Sequence, residues 1–150
     1  VKCLMIIRNP IDRAISNYKF SRDNGLEKRT LREVFLDKKP AFENAFKTSV
    51  NPFDYLGRSN YVMHIQPFIK TFGNRFRVLV LEELNHIEKR KEVFDFLEIS
   101  ENTIDSFTVE NQTKELVLEV EVQNELKAFF KPGVEALSDV LSRDFNCWDI

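Results

Sequence analysis

The chain has 150 residues, a net charge of −2 and 43% hydrophobic residues, enough length and apolar content for one real core. That charge balance excludes the broad basic footprint of a nucleic-acid binder, while a local basic site for a small anionic nucleotide stays open. No run is long and apolar enough to span a membrane and no signal-peptide pattern is visible, while Cys3 and Cys147 stand at no metal or redox spacing. Lys2 to Ile7 is a short apolar run rich in branched side chains, the pattern of a parallel strand covered on both faces, with Cys3 as a buried thiol. Arg8-Asn9-Pro10 stops that strand. Asn9 can cap the helix that follows, Pro10 suits its first position, and Asp12 puts a carboxylate in its first turn. Ile11, Ala14, Ile15 and Tyr18 then share one helical face. Arg8 is left at the carboxyl end of a buried strand, where open α/β sheets bind ligands, and Ser16 lies two turns up the helix, away from the apolar stripe. A chain that opens directly in a core strand also raises the expectation of upstream sequence.

Asp23-Asn24-Gly25 reads as a helix stop, with Gly25 or Asn24 in the left-handed conformation. Thr30 to Glu33 is a capping-box pattern and predicts a short helix ending before Pro40, with Leu31, Val34 and Phe35 on one face. Ala41 to Leu56 has no period, yet Phe42, Phe46, Phe53 and Tyr55 supply large apolar surface. It reads as an irregular segment over the site or as a loop held down by aromatics. Tyr61, Ile65, Phe68, Ile69 and Phe72 recur at helical spacing, with Pro67 inside the pattern and Gly73 at its end. Phe76 to Leu81 is the second apolar strand. Asn85 to Glu88 can cap a further helix in which Val93, Phe94 and Leu97 pack inward, and Lys89-Arg90-Lys91 forms its solvated face. Thr103 to Lys114 reads as a loop. Leu116 to Val122 alternates like a strand but also suits the start of a helix running to Phe130. Pro132-Gly133 is expected to break the chain before a last amphipathic helix with Val134, Leu137, Val140 and Leu141. Trp148 is a core anchor. His64 and His86 have no partner at metal spacing.

Arg8-Asn9-Pro10-Ile11-Asp12-Arg13-Ala14-Ile15-Ser16 resembles the 3′-phosphate-binding motif of sulfotransferases that use 3′-phosphoadenosine 5′-phosphosulfate. The resemblance implies that Arg8 and Ser16 contact the 3′-phosphate, and the chemistry suits it: a guanidinium offers a planar fork of donors and a hydroxyl adds one more. The plainer alternative is an arginine ending a strand and a serine on a solvated helix face. Gly57 to Tyr61, the helix after it and Arg77 to Leu84 are similar to the same family's G-x-x-x-Y helix and its strand ending in E-E-L. Phe96-Leu97-Glu98-Ile99 resembles its F-L-G-I segment, with Glu98 where glycine is usual. Phe129 to Trp148 resembles its C-terminal helix and closing tryptophan. The family's nucleotide-closing segment falls on Thr103 to Lys114, which makes Asn111 and Lys114 further cofactor-binding candidates beside the alternative of a polar loop. The glycine-rich basic cluster of many animal members is missing there.

The resemblance implies an α/β class, a partial P-loop-like three-layer fold with a short parallel sheet flanked by helices. It implies one sulfotransferase-like domain over 1–150, truncated at its N-terminus. The family's upstream loop of Lys, Gly, Ser and Thr, which grips the 5′-phosphosulfate, has no counterpart among the four scattered glycines, and the base usually comes from upstream too. No catalytic residue is assigned, and the chain is expected to be inactive without that part. The implied reaction is sulfuryl transfer from 3′-phosphoadenosine 5′-phosphosulfate to a hydroxyl or amine, leaving adenosine 3′,5′-bisphosphate, with no metal. The partners are the nucleotide co-substrate and an acceptor, a carbohydrate by family analogy or a small molecule. No nucleic acid and no membrane segment are expected, and the compartment is expected to be cytoplasmic, although upstream sequence could carry a signal or anchor. The competing reading is a non-catalytic nucleotide-binding or interaction domain with a degenerate sulfotransferase fold.

Overall fold

The computed structural model describes residues 1–41, 51–100 and 117–150. Two strands, β1 (Cys3–Ile7) and β2 (Phe76–Val80), pair in parallel, with Cys3 opposite Phe76 and Ile7 opposite Val80. Helices α1 (Pro10–Asp23), α2 (Leu31–Phe35) and α3 (Tyr61–Phe72) lie between the strands in sequence, and α4 (Ile87–Leu97) and α5 (Val120–Leu141) follow β2. The class is therefore α/β, a short parallel sheet flanked by helices, as the sequence implies. By contact the chain forms two compact units, Val1–Arg8 with Ile65–Lys114, and Asn9–His64 with Glu115–Ile150.

The first unit holds the sheet. Side chains alternate between its faces, so Ile7, Phe76 and Val80 are buried while Leu4 and Ile6, on the other face, are 37% and 57% exposed. The expectation of a strand covered on both faces therefore fails for one face among the described residues, and Cys3 is half-buried rather than buried. Phe68 stacks on Phe72 at 6.0 Å and on Phe76 at 5.4 Å, tying α3 to the start of β2. Pro67 stays inside α3 on its exposed side. Asn85 does not cap α4. The N–H of Leu84 donates to Leu81 O and that of His86 to Glu83 O, and these two turns carry the chain one residue past Asn85, so His86 becomes the N-cap. Val93, Phe94 and Leu97 are half-buried. At the far end of α4 Glu98 takes φ +58, and Lys2 donates to its carboxylate at 2.8 Å and to Phe96 O at 2.6 Å.

The second unit is built around α1. Ile11, Ala14, Ile15 and Tyr18 form its buried stripe and pack with Phe35, Tyr55, Val122, Leu126 and Phe130. The helix ends where Gly25 takes φ +71, the residue type for which that conformation is cheap. The capping box of α2 forms: Thr30 Oγ1 accepts from Glu33 N–H, and Glu33 Oε2 accepts from Thr30 N–H at 2.8 Å. The alternating stretch before Val122 resolves as helix from Val120.

Pro132-Gly133 does not break the chain, because α5 runs through it for 22 residues. Val122, Leu126, Phe130 and Leu137 are all buried on one stripe, and Leu137 lies beyond the proline. Burial of such side chains at about 1.5–3 kcal/mol each offsets the roughly 3 kcal/mol that an internal proline costs. Gly133 serves packing here, since a Cβ on it would lie 3.2 Å from Asn60 Oδ1. Trp148 is buried and stacks on Phe145 at 4.5 Å, the anchor that the sequence suggests.

Candidate nucleotide site

Arg8 is the first residue beyond β1 and is half-buried. The next residue begins the second unit. There Asn9 caps α1, its Oδ1 accepting from Ile11 N–H at 2.9 Å while its carbonyl accepts from Arg13 N–H at 2.9 Å. Pro10 takes the first helical position, where its missing N–H is not needed. Ser16 stands half-buried on α1, between the stripe residue Ile15 and Asn17. Arg8 thus lies at the strand end and Ser16 on the helix that follows, each in the element expected for it and in a different unit. Asn111 and Lys114 lie outside the described residues.

A strap of irregular chain, Asn51 to Ser59, lies along α1, and sequence reasoning left its attachments unread. Asn17 Nδ2 donates to Pro52 O at 3.2 Å, and Arg13 Nη1 donates to Ser59 Oγ at 3.0 Å. Ser59 is 2% exposed and passes its own proton to Tyr55 O at 2.9 Å. The Tyr55 ring meets Tyr18 edge to face at 5.8 Å. The one sequence signal was Tyr55 and Phe53 among the aromatics of an aperiodic segment. The strap ends in the tight turn Gly57–Ser59, where Gly57 N–H donates to Asp54 Oδ1 at 2.8 Å. A cavity of about 250 Å³ opens beside it, lined by Asn60, Tyr61, Phe129, Phe130 and Leu137.

Beneath the strap lies a buried ion pair. Glu27 Oε1 accepts from Arg29 Nε and Arg29 N–H at 2.9 Å each, and its Oε2 accepts from Tyr55 Oη at 2.9 Å. Tyr18 Oη donates to Arg29 O at 2.8 Å. Burial alone would push the Glu27 carboxyl up, but the hydrogen bonds from Arg29 and Tyr55 outweigh it and hold it below the ordinary carboxylate range. Burial pushes the Tyr55 hydroxyl well up, so it stays a donor to Glu27. Among the described residues no three His, Cys, Asp or Glu side chains could hold a metal ion, and no helix is long and apolar enough to cross a membrane.

A parallel strand that stops at an arginine and runs directly into a capped helix is the arrangement by which α/β proteins present a strand end and a helix start to a ligand. The class is narrower than that: the chain belongs to the sulfotransferase domain family, whose model matches residues 1–133. A sulfotransferase from Alicyclobacillus acidocaldarius of known structure has a similar fold, with a TM-score of 0.76 at 24% identity. The match covers 100% of this chain and 58% of that one, so the chain spans less than two thirds of that protein's length. No curated protein matches the chain.

Proposed function

We propose that the chain is the 3′-phosphate-binding part of an enzyme that moves a sulfuryl group from 3′-phosphoadenosine 5′-phosphosulfate to an acceptor hydroxyl or amine. In that transfer the acceptor oxygen or nitrogen attacks sulfur as the bond from sulfur to the 5′-phosphate oxygen breaks. Adenosine 3′,5′-bisphosphate leaves, and the acceptor proton passes to a base. The role of this chain is to hold the nucleotide: Arg8 presents its fork to the 3′-phosphate and Ser16 adds a hydroxyl donor. Such catalysis rests on positioning and on charge stabilisation at the leaving phosphate. The groups that grip the 5′-phosphosulfate and the base would come from further sequence of a longer protein, and a carbohydrate is the proposed acceptor by analogy alone.

The observation that carries this reading is Arg8 at the end of β1, with Ser16 on the capped helix that begins two residues later, in a chain of the sulfotransferase domain family. Arg8→Ala is expected to abolish binding of adenosine 3′,5′-bisphosphate, and a melting curve of the variant separates that loss from a loss of fold. Ser16→Ala should weaken binding by about 1 kcal/mol, one hydrogen bond to a charged group. Unchanged affinity in Arg8→Ala would remove the site from this strand end. A second reading is a domain of the same fold that binds nucleotide without chemistry. Binding without sulfuryl transfer by the protein with its upstream sequence would favour it.

A further inference from the structure

The nine-residue motif Arg8 to Ser16 carries two arginines, Arg8 before the helix and Arg13 within it, and either side chain suits a phosphate. The geometry commits Arg13 elsewhere. Its Nη1 donates to the 2%-exposed Ser59 Oγ, whose proton goes to Tyr55 O, and Tyr55 Oη in turn donates to Glu27 in the buried pair with Arg29. One turn further along α1, Asn17 grips the other end of the strap at Pro52 O. Ser16 lies in sequence between these two fasteners, on the same helix.

We propose that Arg13 is a positioning residue, a latch that joins the motif helix to the Gly57–Tyr61 segment through Ser59 and fixes the presentation of Ser16. The two stretches that resemble the family most are more than forty positions apart in sequence, and this bond joins them. The latch rests on the reading that Ser16 meets a 3′-phosphate. Its cost if cut is paid in orientation rather than in a ligand contact, because a rigid helix misplaced by a fraction of an ångström aims its hydroxyl poorly.

The test is a calorimetric titration of wild type, Arg13→Ala, Arg13→Lys, Ser59→Ala and the double Arg13→Ala/Ser59→Ala chain. The probes are adenosine 3′,5′-bisphosphate and adenosine 5′-monophosphate, and a melting curve accompanies each protein. The latch predicts that Arg13→Ala and Ser59→Ala each weaken bisphosphate binding by up to about fivefold, no more than the loss of the Ser16 hydroxyl itself. Monophosphate binding stays put, and the double variant is no worse than either single one. Arg13→Lys, which keeps a cationic donor, recovers part of the loss. Two results overturn the proposal alone: bisphosphate affinity unchanged in both single variants, or a loss in Arg13→Ala that Ser59→Ala does not share, which would make Arg13 a direct ligand contact. A wild-type chain that ignores the bisphosphate overturns the nucleotide reading and the positioning role with it.

Discussion

Glu98 sits at φ +58, a left-handed conformation that costs an L-residue with a Cβ about 1–2 kcal/mol. Its ion pair with Lys2 returns little, because the Glu98 carboxylate is 80% exposed and water screens the pair. Glu98→Gly is therefore expected to stabilise the chain by about 0.5 kcal/mol after the extra chain entropy of glycine is counted. Urea unfolding at fixed salt measures it, and a lower midpoint in the glycine variant would show that the Lys2 contacts hold the end of α4. The sequence signalled this position, since glycine is usual there in the family it resembles. The strand end at Arg8 and the capped helix that carries Ser16 were legible for a similar reason, a dense local pattern. Arg13 was not, because its partner Ser59 is distant in sequence and no short-range rule links an arginine on a helix to a serine in a turn.

Among the elements, those with local stop and start chemistry were readable. Asn9 and Pro10 open α1, Gly25 follows its end, and Thr30 with Glu33 opens α2, each through groups only a few residues apart. Where packing overrides local preference, reading failed. The stripe Val122, Leu126, Phe130 and Leu137 carries α5 across Pro132, and successive turns after β2 shift the start of α4 past Asn85. The loop Leu26 to Thr30 carries no sequence signal of its role. Glu27 and Arg29 are 4% and 8% exposed and tie together Tyr18 of α1, Lys39 beyond α2 and Tyr55 of the strap. Glu27→Ala leaves the Arg29 guanidinium buried without its carboxylate and should cost about 3 kcal/mol. Thermal unfolding measures this, and a loss under about 1 kcal/mol would mean that Arg29 turns out to solvent instead.

For the whole molecule, acid should be the weak side. Hydrogen bonds from Lys39 and Thr30 lower the Glu33 carboxyl to about 2, and Glu27 is also lowered. Carboxyls depressed in the folded state stabilise it above their unfolded value near 4.5 and lose that contribution as pH falls toward the folded value. Melting temperature should thus drop steadily between about pH 4.5 and pH 2, and Glu33→Gln should flatten the lower part of that curve. A melting temperature level across this window would contradict the assignment. Tyr18 and Tyr55, both pushed up by burial, place the opposite limb above pH 10. Function at this scale rests on whether Arg8 and Ser16 recognise a 3′-phosphate. The most direct measurement is calorimetric titration of the chain with adenosine 3′,5′-bisphosphate against adenosine 5′-monophosphate. The account predicts saturable binding of the bisphosphate, and binding of the monophosphate weaker by tenfold or more, about 1.4 kcal/mol. Equal affinity for the two nucleotides, or none for either, would contradict it.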